Sequence, residues 1–200
     1  MDATKLQLKI FAVAGGDTSL EAFIPVLHRF IKEHKLPELL VDVANYAHVP
    51  QGPGVVLIGH GSDYFIDEAD GRRGLLFNRK RQAPAPELRL QDTFARAVQA
   101  AIMMEAEPAL AGKLKFDTSE LLFRINDRLL APNNDATFAA HKNELAAFCT
   151  RLFGENGFTF ARVGEERQRF SVAIKPATPL SLKALFDKLG GVPAVGAAAA

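Results

Sequence analysis

The chain has 200 residues and a mass of 21.7 kDa, with 48% hydrophobic and 24% charged side chains. That is ordinary globular composition, long enough to bury roughly 70% of the unfolded surface without a disulfide or metal staple. The net charge of +1 selects no partner, and no apolar run reaches the roughly 18 residues of a membrane span.

Near the start, Leu6, Leu8, Ile10 and Ala12 alternate with Lys5, Gln7 and Lys9, and then Phe11 and Val13 make the far end apolar on both faces. This is the pattern of a first strand entering a covered sheet. The following AVA-Gly mimics a signal-peptidase site, but Lys9 interrupts the apolar run and Asp2 spoils a basic n-region. A strand is therefore read, and the cytoplasm is the expected compartment. The loop AGGDTS could offer phosphate a helix N-terminus. It lacks GxGxxG and a P-loop lysine, and Asp17 opposes an anion, so a turn with a cap is the better reading. Thr18 and Glu21 make a capping box for a helix with Leu20, Phe23, Leu27, Phe30, Ile31 and His34 on one stripe. Pro25 lies too deep for a first turn under that cap, so the helix kinks there or begins nearer Phe23. Residues 39 to 44 read as a second strand, and the β-helix-β order favours a parallel pair with a right-handed crossover.

The most distinctive stretch runs from Gly52 to Arg81. Val55, Val56, Leu57 and Ile58 form an apolar run typical of a strand buried on both faces. Gly59 and Gly61 flank His60, as at a bulge that re-aims a side chain. The chain resumes at Ser62, reverses at Asp70-Gly71 and returns as GLLFNRKR, so paired antiparallel strands are expected over residues 62 to 69 and 74 to 80. Residues 1 to 70 carry ten acidic and five basic side chains, whereas 71 to 90 carry six basic and one acidic. Such an asymmetry could attract an acidic ligand, but pairing between oppositely charged strands is the simpler explanation and the one preferred.

QAPAPE then forms a proline-spaced connector. A second helix covers residues 90 to 107 and stops before Pro108, with Leu90, Phe94, Val98 and Ile102 on one face. Leu121, Phe123 and Ile125 mark a half-exposed strand. A third helix covers roughly residues 135 to 153, where Gly154 ends it. Cys149, the single cysteine, lies on that helix among apolar residues, as a small core side chain does. FTFARV and RFSVAIK make a hairpin. Thr178-Pro179 starts the last helix as N-cap and first residue, and Gly190-Gly191 stops it. The tail VPAVGAAAA has nothing to anchor it and reads as mobile.

The string VVLIGHGS, within residues 53 to 62, resembles the opening strand of sirohydrochlorin-type chelatases, whose HGS histidine serves metal insertion into a tetrapyrrole. The likeness covers about eight residues. Those enzymes place the motif at the chain start and follow it with a helix, whereas here a hairpin follows, so no activity is carried over. His48, His60, Asp63 and Asp67 match no compact metal-ligand spacing, and no metal or cofactor is expected. Asp63 and Asp67 share one face of an extended segment about 13 Å apart, too far for a glycosidase pair. His60 with Asp63 as orienting partner is a possible general acid or base, or equally a structural pair. His28, His34 and His141 are assigned to packing or surface.

Arg72, Arg73, Arg79, Lys80 and Arg81 offer a basic strand end, diluted because Arg79 and Arg81 lie on one face of the strand and Lys80 on the other. Nucleic-acid readers add a wider positive face and stacking aromatics, and here Phe77 alone is near, so nucleic acid is disfavoured. The expected fold is α/β or α+β, a mixed, largely antiparallel sheet with about four helices in two lobes. The lobes are residues 1–81 and 91–191, joined by 82–90 and followed by the tail 192–200. The expected function is that of a soluble, non-enzymatic binding or assembly protein acting through the 52–81 hairpin on a protein partner or a second copy. Asp67, Arg72, Arg73, Arg79 and Arg81 are its candidate binding residues. The alternative is a small hydrolase or transferase using His60 and Asp63 on an anionic small molecule.

Overall fold

The computed structural model describes residues 1–13, 18–50 and 52–193, Asp70 by its backbone alone. The AGGDTS loop lies largely outside the described residues, as does the tail from residue 194 onward. Among the described residues are eight strands: β1 (Leu6–Ala12), β2 (Leu40–Tyr46), β3 (Gly54–Gly59), β4 (Ser62–Asp67), β5 (Gly74–Arg79), β6 (Phe116–Ile125), β7 (Phe158–Val163) and β8 (Phe170–Pro176). Four α-helices accompany them: α1 (Phe23–Lys32), α2 (Arg89–Glu105), α3 (Asp135–Phe153) and α4 (Leu182–Leu189). The strands form one open sheet in the order β2-β3-β4-β5-β1-β6-β8-β7, and every pairing is antiparallel. The fold is α+β.

The expected parallel pairing of the first two strands is overturned. β1 lies between β5 and β6, and β2 forms the sheet edge beside β3. The reason is that β3, β4 and β5 are joined by short connections and stack as a meander between them, so α1 carries the chain from the sheet centre to its rim. The sheet is continuous across residues 82–90, with β1 as the strand that joins the two halves.

Local chemistry explains where the elements start. α1 begins at Phe23, which puts Pro25 in the first turn, where its missing N–H costs no helical bond. Thr18 does not cap it; its hydroxyl donates to the Lys113 carbonyl at 3.3 Å. Asn134 caps α3 by accepting from the Thr137 N–H at 2.9 Å. α4 starts later than Thr178-Pro179, because Ser181 is the residue whose hydroxyl accepts the Ala184 N–H at 3.1 Å. The pairing of Ile58 with Asp63 makes His60-Gly61 the turn of a tight β3–β4 hairpin rather than a bulge. β4 and β5 are paired as expected, but Asp67 already faces Gly74, so the reversal is a wider loop with a 3-10 turn at Ala69–Gly71.

The two faces of the sheet differ. Leu6, Leu8 and Ile10 of β1, Leu75 and Phe77 of β5 and Leu121, Phe123 and Ile125 of β6 join a core with Phe23, Leu27 and Phe30 of α1, Phe94 and Val98 of α2, Phe148 of α3 and Leu185 of α4. Phe94 meets Phe148 edge-on with centroids 4.8 Å apart, and Phe138 of α3 meets Phe160 of β7 at 5.8 Å. Val56, Leu76, Leu122 and Ala173 are buried yet belong to no part of that core. They point to the opposite face, which no described helix covers.

Gly54 and Gly71 both hold positive φ, +68° and +70°. A Cβ on Gly54 would lie 2.0 Å from the Ile66 carbonyl oxygen, whereas Gly71 has open space around it. Gly71→Ala should therefore cost about 1 kcal/mol of backbone strain, and Gly54→Ala about 3 kcal/mol or more because β3 must also leave β4. Urea melts of the two variants check this; equal costs would show that the close approach relaxes freely.

Candidate functional site

The residues singled out in the sequence are distributed over both faces. His60 is exposed at the β3–β4 turn, and its backbone N–H donates to the Leu39 carbonyl at 2.8 Å. Asp63 points to the uncovered face and pairs with Lys80 at 2.7 Å, so the structure does not bring His60 and Asp63 together. Asp67 is buried on the same uncovered face, 2.6 Å from Lys9. Arg72 lies flat over the Phe11 ring, 3.5 Å from its centroid, and pairs with Glu120 at 3.0 Å. Arg73 is held by Glu68 at 2.6 Å. Arg79 turns inward beneath α2 to pair with Asp92. Arg81 is exposed. Strand alternation therefore splits the basic segment: Arg79 goes to the covered side while Lys80 goes to the open side.

At the hairpin end of the sheet, on the covered side, lies a buried polar network. The Glu38 carboxylate accepts the Ser62 N–H at 3.1 Å, the Ser62 hydroxyl at 2.7 Å and the Tyr64 hydroxyl at 2.7 Å. Burial first, and the Glu38 charge second, push the Tyr64 hydroxyl far above its ordinary range, so it remains a donor. Asp92 of α2 serves two guanidinium groups, that of Arg79 and that of Arg96, the latter through Nε at 2.7 Å. A cavity of about 370 Å³ opens over this network, lined by Glu38, His60, Gly61, Arg79, Gln82 and Arg96 among others.

The uncovered face carries a larger basic groove. Across the sheet, Lys9 is flanked by Leu76 and Leu122, and Leu122 by Ala173. One row along, Gln7 is flanked by Asn78 and Arg124, and Arg124 by Ser171. A cavity of about 740 Å³ sits over the β6–β8 side of these rows. Among the described residues, Phe11, Leu122 and Ala173 supply apolar floor, and Arg72, Arg124, Arg128, Arg167 and Arg169 line the cavity with one carboxylate, that of Glu120. Glu120 is engaged by Arg72, and Arg167 is paired with Glu165 at 2.7 Å. Arg169 donates to the Asn126 amide oxygen at 2.7 Å and Arg128 to the Arg167 carbonyl at 3.2 Å. Those neutral acceptors orient the guanidinium groups without cancelling their charge.

Sequence reasoning missed most of this groove. Arg124 showed only as the polar partner in an alternating strand, and Arg128, Arg167 and Arg169 lie in loops whose mutual approach depends on β6 pairing with β8. Asp92 and Arg96, at i,i+4 on one helix, were a legible ion-pair signal. No group of three or more histidine, cysteine or acidic side chains with metal-site geometry occurs among the described residues, and no described helix is long and apolar enough to cross a membrane. No protein-family model and no curated protein matches the chain.

Cys149 is buried, and that burial pushes its thiol up to about 12. It should resist iodoacetamide at pH 8 in the native protein and react once urea unfolds the chain; rapid native labelling would contradict its packed position. Asp92→Asn should cost about 3 to 5 kcal/mol, because two buried guanidinium groups lose their shared counter-charge. His60→Ala should stay within about 0.5 kcal/mol in the same denaturant melts, as befits an exposed turn residue.

Proposed function

We propose that the chain is a non-enzymatic, cytoplasmic binding protein whose uncovered sheet face takes an acidic segment of a protein partner. The observation that carries this reading is the groove itself, an apolar floor with five arginines and one glutamate among its described residues around about 740 Å³. A guanidinium presents a planar fork that matches carboxylates in pairs, and apolar floor between such groups suits a ligand with alternating acidic and apolar side chains. Beside it, Leu129 and Leu130 are 90% and 81% exposed in the loop that carries Arg128. Such adjacent exposed leucines fit a macromolecular partner better than a small anion. The 52–81 hairpin contributes through Arg72 and Ala69, so the binding surface extends from it across β6 and β8.

Self-association is the second reading, favoured by the β2 edge, where Val41 and Tyr46 are 59% and 43% exposed beside unpaired backbone groups. The acid–base alternative has less support, since His60 and Asp63 do not meet.

A fluorescent peptide alternating glutamate with leucine tests the main reading by anisotropy. It should bind the parent in a salt-dependent manner, and Arg128→Glu with Arg169→Glu should weaken it at least about tenfold, since like charges then face each other across the groove. Both positions are exposed, so the fold should be unaffected. Undiminished binding by the double variant would remove the groove as the site.

A further inference from the structure

We propose that the acidic segment taken by the groove is a phosphorylated one, with the phosphate group of a phosphoserine held by Arg128 and Arg169, an inference that rests on the groove as the acidic-segment site.

Charge matching within the groove singles out these two residues. Arg72 is answered by Glu120 at 3.0 Å and Arg167 by Glu165 at 2.7 Å. Arg128 and Arg169 meet no carboxylate among the described residues. Their hydrogen bonds go instead to neutral oxygens, from Arg128 Nη1 to the Arg167 carbonyl at 3.2 Å and from Arg169 Nε to the Asn126 amide oxygen at 2.7 Å. Asp127, next to Arg128 in sequence, is turned to the Leu130 N–H at 3.2 Å and to Lys5 at 3.5 Å. Each guanidinium therefore keeps further N–H donors, and both side chains are exposed, so those donors can be reached from solvent.

The fold also brings the two arginines to one place. Arg128 lies in the loop that leaves β6 and Arg169 just before β8, and Pro132 bridges to Arg169 between these segments. The hydrogen bonds of Arg128 and Arg169 cross the same junction. Two cations without a counter-charge are thus presented from adjoining segments to one cavity. A carboxylate brings one negative charge. A phosphate monoester brings close to two, with several strong acceptor oxygens around one atom, and arginine clusters are the recurring protein partners of such groups. Leu129 and Leu130 in the Arg128 loop are exposed and offer apolar surface to the residues flanking the phosphoserine. The cavity is a concave groove over the sheet, which admits an extended chain more readily than a flat lipid surface.

Three fluorescent peptides test this by anisotropy: the alternating peptide of glutamate and leucine, the same peptide with its central glutamate replaced by serine, and that serine phosphorylated. The phosphoserine peptide should bind at least about tenfold more tightly than the glutamate peptide, the gain expected of one further charge-assisted hydrogen bond. The serine peptide should bind more weakly than either. The gain should shrink as pH falls from about 7.5 to about 5.5, because the phosphate gives up its second charge near pH 6 whereas glutamate, with a pKa of about 4.3, keeps its own. Arg128→Gln with Arg169→Gln should bring the phosphoserine and glutamate peptides to nearly equal affinity, with urea melts unchanged because both positions are exposed. Binding of the glutamate peptide without any gain from phosphate would overturn this proposal and leave the groove as an acidic-segment site, whereas failure of all three peptides would remove both. A gain that persists in the double variant would overturn it too, by placing the phosphate elsewhere. So would capture of the protein by phosphatidylcholine vesicles containing phosphatidic acid that the phosphoserine peptide cannot reverse, since the arginines would then serve a lipid headgroup.

Discussion

An eight-stranded sheet whose described helices all lie on one side imposes the constraint on which the rest of the molecule depends. β1 at its centre shows it residue by residue. Leu6, Leu8 and Ile10 enter the helix-covered core, while Gln7 and Lys9 face the side without helices and are still only 4% and 1% exposed. In so wide a sheet the middle of the uncovered face is shielded by its own neighbours, here Leu76, Leu122 and the loop that brings Arg72 over Phe11. A lysine in that position must have its charge answered locally, and Asp67 at 2.6 Å together with the Ala69 carbonyl at 3.2 Å does so.

Charge matching on that face is uneven. Toward β3 and β4 the cations are answered, Lys9 by Asp67 and Lys80 by Asp63. Toward β6, β7 and β8 Arg72 and Arg167 are answered by Glu120 and Glu165, while Arg128 and Arg169 donate to neutral oxygens. A uniformly solvated face has no reason to segregate charge in this way. The segregation concentrates positive potential over apolar floor, and such potential raises the rate at which acidic partners arrive.

The covered side was largely legible from the sequence and the uncovered side was not, for a physical reason. Alternation in β1 and the helical stripe of α1 report which side chains share a face, and Gly154 marks the end of α3 by local backbone chemistry alone. Alternation is silent on what covers a face. Lys9 therefore looked like an ordinary exposed strand residue, although it is among the most buried side chains. Strand order is likewise set by pairings between residues far apart in sequence, such as Gln7 with Arg124, so a β-helix-β run that suggested a parallel pair became two strands at separate places in one antiparallel sheet. In the basic segment after Gly71, by contrast, alternation alone already separates Arg79 and Arg81 from Lys80. Successive side chains point to opposite faces, and Arg79 and Lys80 ended on different sides of the sheet with different carboxylates.

Burial gives the two basic clusters different physics. The groove arginines at 128, 167 and 169 are exposed, so their attraction for an acidic segment is screened over about 10 Å at 0.1 M salt and acts mainly through encounter and orientation. Arg79 beneath α2 and Arg96 on its inner side are held by a carboxylate they share, where screening is weak and geometry rather than long-range field decides which charges meet. Asp92 consequently has two effects at once. Together with Glu38, 3.6 Å from Arg96 Nη1, it offsets the charge of both guanidinium groups enough for them to be buried, and by engaging both it fixes Arg79 of the sheet against Arg96 of the helix. A buried ion-pair network of this kind adds little net stability compared with apolar packing. Its consequence is positional: it ties the start of α2 to the ends of β4 and β5, and so holds the wall of the cavity in place.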